Sequence, residues 1–248
     1  MQTRRRSRLM DLLLYAGMGI LALALGRGVI AQDWRTASHE PVGLAPDPAT
    51  TLDAVVQVYA ARTWGWKGNF GVHTWVAVKP REAPAYTVYE VIGWRLRRGG
   101  TVLVVSERNP DAHWFGNAPE VLAERRGAEA EAIIPKIEEA VKAYPYANEY
   151  SVFPGPNSNT FTAWISRAVP ELKVDLPPTA IGKDFIGDRI VASAPSGSGV
   201  QISLGGLFAL TASGVEGLEV NLLGLTFGID PFSPALRLPL IGRIGAAR

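Results

Sequence analysis

Pro154-Gly155-Pro156, running straight into Asn157-Ser158-Asn159-Thr160-Phe161-Thr162-Ala163-Trp164-Ile165, restricts the fold more than any other stretch of this chain. Two prolines fix the backbone on either side of a glycine, so the chain makes a stiff turn here. Asn and Ser then supply side-chain oxygens suited to a helix start. Phe161, Trp164, Ile165 and Ala168 fall at helical spacing, which predicts a helix over 158–168 with one buried stripe, stopped by Pro170. Such a junction offers free N–H groups at the positive end of a helix dipole. The Ser158 hydroxyl placed there is either a helix cap or a nucleophile in a site that stabilises an oxyanion, with Asn157, Asn159 and Thr160 as further donors or substrate contacts.

A serine nucleophile needs a base. His73, in the strand-like run 71–79, is one of three histidines and the first candidate, although a lone strand histidine is ordinarily a packed residue. If the turn at 80–85 pairs Lys79 with Tyr86, Ile92 opposes His73. Glu90 is then the diagonal neighbour on the same face, roughly 7–8 Å away between backbones, and can orient the ring. A slip of one residue would turn Glu90 to the other face. His113, in Asp111-Ala112-His113-Trp114-Phe115-Gly116, is the substitute base. Trp64, Trp66, Trp75, Trp94 and Trp114 are expected to pack in the core, or to form an interfacial belt if several are exposed.

The chain has no cysteine, which excludes disulfides, thiolate catalysis and lipidation at a thiol. No histidine pair has zinc spacing, so no metal or other cofactor is expected. Gly197-Ser198-Gly199 lacks the glycine that a nucleophile elbow needs, and Gly182-Lys183-Asp184 lacks the spacing of a phosphate loop.

Four arginines at 4–8 precede the uncharged run 12–26; Arg27 interrupts it before residues 28–31. Residues 1–31 therefore read as a signal anchor or a signal peptide. The arginines keep the amino end in the cytoplasm and send the body across the inner membrane, to its extracytoplasmic side. Five of the 25 basic residues and one of the 23 acidic residues precede Gln32, which leaves 20 against 22. The body is thus not a basic nucleic-acid binder.

Residues 32–50, with Pro41, Pro46 and Pro48, read as a linker. Strands are predicted over 55–62, 71–79, 86–94 and 101–106, an antiparallel meander with a hairpin tip at 64–69. A long helix is predicted over 119–143, interrupted at Pro135. Residues 200–211 and 218–227 alternate like a C-terminal β-hairpin. The expected architecture is α+β, an antiparallel sheet packed on two or three helices over 51–195, followed by a β element over 196–248.

The order of His73 on a strand, further strands, a helix and then Asn157-Ser158-Asn159-Thr160-Phe161 at a helix start resembles the circularly permuted papain-like families. These include the lecithin retinol acyltransferase group and bacterial cell-wall amidases. The runs 73–79, 89–94, 154–161 and 217–222 also resemble an uncharacterised family of bacterial membrane-associated proteins. The papain-like resemblance implies an acyltransferase or an amide or ester hydrolase acting on a lipid or peptidoglycan substrate. Ser158 would stand where the family has cysteine, His73 would be the base and Glu90 the orienting group. The alternative is a non-catalytic envelope protein that binds a lipid, glycan or partner in a degenerate cleft.

Overall fold

The computed structural model describes residues 35–246, so the apolar run at 12–31 and its expected membrane role lie outside the described residues. Among the described residues no helix is long and apolar enough to cross a membrane. The fold is α+β, with two antiparallel sheets and few helices.

The expected meander forms the first sheet, in the order β4-β3-β2-β1-β5. Its strands are β1 (Val55–Arg62), β2 (Val72–Lys79), β3 (Thr87–Val91), β4 (Leu103–Glu107) and β5 (Glu120–Arg126). β3 is shorter than predicted because a 3-10 turn, Gly93–Arg98, takes up Trp94. β5 replaces the first turns of the predicted helix. Residues 120–126 pair with the open edge of β1, a tertiary bond that overrides helical spacing. Gly127, at φ +56°, then turns the chain into α1 (Gly127–Lys142), with Pro135 inside it. α2 (Ser158–Ala168) has the predicted limits.

Both faces of this sheet are buried. Val56, Val58, Val76 and Val78 pack on Ile133, Ile137, Phe161 and Ile165 of the helices. Val55, Tyr59, Trp75, Ala77 and Val88 form a second cluster on the opposite face. Residues expected to be a linker cover that face. Val42 N–H donates to the Asp111 carbonyl, His113 N–H to the Glu40 carbonyl and Gly116 N–H to the Ser38 carbonyl, at 3.0–3.3 Å. These are backbone bonds, which leave no periodicity in the sequence.

The expected C-terminal hairpin is part of a seven-stranded meander. Its strands run in sequence order: β6 (Val191–Ala192), β7 (Val200–Leu204), β8 (Phe208–Ser213), β9 (Gly217–Leu222), β10 (Leu225–Asp230), β11 (Ala235–Leu238) and β12 (Gly242–Gly245). Tight turns such as Leu223-Gly224, both at positive φ, let each strand return beside the last.

Candidate functional site

β2 and β3 pair Val76 with Tyr89 and Val78 with Thr87, the register that a Lys79–Tyr86 pairing requires. Glu90 therefore shares a face with His73, and their side chains meet, Nε2 to Oε2, at 3.0 Å. The other Glu90 oxygen accepts from Arg108 Nη2 at 3.2 Å. The His73 ring stacks on Trp114 at 3.8 Å between centroids, and Trp94 stacks on Trp114 from farther out. His73 and Glu90 are both buried. Burial pushes the Glu90 carboxyl up, but the His73 hydrogen bond and charge, together with Arg108, outweigh it and hold the carboxyl below its usual range.

Ser158 is not in this cluster. It opens α2, and α2 packs on the face of β2 that carries Thr74, whose hydroxyl lies 3.3 Å from the Ser158 carbonyl and 2.8 Å from the Thr162 hydroxyl. Alternate residues of a strand point to opposite faces, so His73 points away from the helix that carries Ser158. The pairing of these two as nucleophile and base, expected from their order in sequence, is therefore not assembled in the structure.

The helix cap is Asn157, not Ser158. Its carboxamide oxygen accepts from the N–H groups of Asn159 and Thr160, and the Thr160 hydroxyl accepts from the Asn157 N–H, closing a capping box. The groups expected to meet an oxyanion hold the fold together. Asn157 Nδ2 donates to the carbonyls of Val152 and Ile181, Asn159 Nδ2 to those of Val72 and Ile181, and the Thr160 hydroxyl to that of Gly182. Gly182, at φ +97°, lies where any side chain would strike Asn157. His113 bonds through Nδ1 to the Glu40 carbonyl at 2.6 Å, in the loop that covers the sheet.

The second sheet is built the other way round. Its inner face carries Gln201, Ser203, Thr211, Glu219, Asn221 and Arg237, all buried. Glu219 binds Lys183 and also Arg237 Nε, the latter at 2.6 Å, and Arg237 reaches the Asp175 carboxylate at 2.7 Å. Asp184 accepts from Gln201 at 2.6 Å and from Asn221 at 2.8 Å. For Lys183, burial favours the neutral amine, but Asp184 and Glu219 outweigh it and raise its pKa above the usual lysine value.

The outward face carries Val200, Ile202, Leu210, Leu218, Val220, Leu222, Phe227, Ile229 and Leu236, all exposed to solvent. No charged side chain points outward from β7 to β10, because their charged residues, Glu219 and Asp230, are buried on the inner side. Part of this face is hollowed into an open groove of about 550 Å3, lined by side chains such as Ile202, Leu210, Val220 and Phe227.

Trp114 was expected only as a packing residue, and Arg108 and the Lys183–Glu219–Arg237 group were not expected at all. Arg108 and Trp114 lie in an irregular loop whose pairing with residues 38–42 has no sequence signature. For Glu219 and Asn221, alternation with Leu218, Val220 and Leu222 was a visible signal, but it does not say which face is inside.

No curated protein and no solved structure matches the chain. Residues 53–185, from the approach to β1 to the segment after α2, match the family described as "Protein of unknown function (DUF3750)". That is more than half of the chain, and the chain belongs to this family.

Proposed function

We propose that this protein is a non-catalytic, membrane-tethered envelope protein that binds a lipid, with the acyl chain lying in the groove of the seven-stranded sheet. The outward face of that sheet carries the reading. Its groove of about 550 Å3 falls within the usual size range of ligand sites. An acyl chain needs no hydrogen-bond partner and gains about 0.8 kcal/mol for each CH2 buried. A glycan or peptide would bring polar groups to a surface that offers them no charged partner. The tether is the apolar run at 12–31, preceded by arginines, which would place the body on the extracytoplasmic side of the inner membrane.

The test is titration of the full-length protein with cis-parinaric acid, which fluoresces in apolar sites. Saturable binding that is lost in Leu210→Asp, with an unchanged circular dichroism spectrum, is the expected result. Absence of binding, together with a dimer that Leu210→Asp converts to monomer, would assign the face to a second copy of the chain instead.

A second reading is a permuted papain-like serine hydrolase or acyltransferase, and the His73–Glu90 bond favours it. It requires Ser158 to reach a ring on the other side of the sheet. A fluorophosphonate probe is expected to leave the protein unlabelled. Labelling that disappears in Ser158→Ala would overturn the non-catalytic reading.

A further inference from the structure

β1 and β3 end at the edge of the first sheet where β2 and β4 begin, so the turns that follow β1 and β3 lie at one end of the molecule. Both are 3-10 turns, Gly65–Asn69 and Gly93–Arg98. They expose Trp66 (70%), Trp94 (44%) and Leu96 (37%). Lys67, Arg95, Arg97 and Arg98 are exposed among them. Residues 54–81 and 91–106, which include both turns, contain no Asp or Glu. Tyr150, whose ring packs against Gly93, has Glu149 beside it in sequence, and Glu90 lies buried beneath the Trp114–Trp94 stack.

The turns of the second sheet reach the same end. Gly224 lies against Phe153, and the Leu240 carbonyl accepts from Arg62 at 3.0 Å. Leu223, beside Gly224, is 70% exposed. Aromatic, aliphatic and basic side chains from separate turns thus share one surface.

We infer that this end docks on an anionic lipid bilayer. Indole rings sit at the level of lipid headgroups, and arginines interleaved with them complement a negative membrane surface. The inference is independent of whether the groove binds an acyl chain, because it uses different residues and a different face.

The test uses the full chain in vesicles of phosphatidylcholine with brominated acyl chains, made with and without phosphatidylglycerol. Bromine quenches tryptophan fluorescence at short range. Trp34, next to the apolar run, and Trp64, at the start of the first turn and also exposed, are common to every variant and set the baseline. The double variant Trp66→Phe/Trp94→Phe is expected to lose most of the quenching above that baseline. The triple variant Arg95→Gln/Arg97→Gln/Arg98→Gln is expected to abolish the increase that phosphatidylglycerol brings. Both should bind cis-parinaric acid as the unchanged protein does. Quenching that is the same with and without Trp66 and Trp94, or equal in neutral and anionic vesicles, would overturn the inference. So would aqueous iodide reaching these two rings equally well with and without vesicles, as expected for an end that meets a protein or nothing.

Discussion

In β2, Val76 and Val78 point inward to the helices, and on β9 the corresponding inward positions hold Glu219 and Asn221 while Leu218, Val220 and Leu222 face out. Both strands alternate with the same period, yet the face turned inward carries hydrocarbon on β2 and charge or carboxamide on β9. The first needs no partner beyond its own helices and the covering segment at 38–47. The second holds its inner face by Lys183–Glu219–Arg237–Asp175 and leaves its apolar face exposed. Buried ion pairs contribute little net stability compared with hydrocarbon of equal volume, but removing one partner leaves an uncompensated buried charge.

The largest effect is expected at the ionic centre of the second sheet. Glu219→Leu leaves Lys183 and Arg237 buried without their shared partner and should cost about 3–5 kcal/mol in denaturant unfolding. In the first sheet's layer the matching change is Phe161→Ala, which empties fully buried space against Tyr144 and should also cost about 3–5 kcal/mol. If Glu219→Leu proved harmless, the inner polar network would not be what holds the second sheet in place.

Smaller effects sharpen the contrast. Because the Glu90 carboxyl titrates below its ordinary value in the folded protein, it stabilises the fold above pH about 4.5, and that contribution disappears as pH falls through the depressed value. Glu90→Gln should cost about 1.5–3 kcal/mol at neutral pH, as for a hydrogen bond to a charged group. The variant should also lose less stability than the unchanged protein between pH 6 and pH 3, as read by thermal unfolding. Asn157→Ala removes the cap of α2 and should cost about 0.5–2 kcal/mol. At the far end of the scale, Leu236→Thr on the outward face should change stability by no more than about 0.5 kcal/mol, since that side chain is half exposed and the incoming threonine is a good strand former. A large loss there would mean that the face is covered within the chain itself.

What was legible in the sequence follows from which bonds are local. The limits of α2 were readable because the Asn157–Thr160 box and the Phe161–Ile165 stripe lie in one continuous segment. The meeting of His73 and Glu90 was readable because a short turn fixes their register. The start of α1 was misplaced because Val121 and Leu122 suit a helix as well as β5, and only the open edge of β1 decides between them. The separation of His73 from Ser158 depends on which face of β2 receives α2, which order in sequence does not encode. The inversion of the second sheet was hidden for a similar reason: alternation defines two faces, and the habit of placing the apolar one inside assigns them wrongly here.

Whether the uncharged face over β7–β10 holds lipid, as proposed, is read most directly by native mass spectrometry of the full-length protein released from membranes. Mass increments of lipid size are expected on the unchanged protein, and their loss in Ile202→Asp/Leu210→Asp, with folding retained. The same increments on the double variant, or a protein that carries none at any stage of purification, would contradict it.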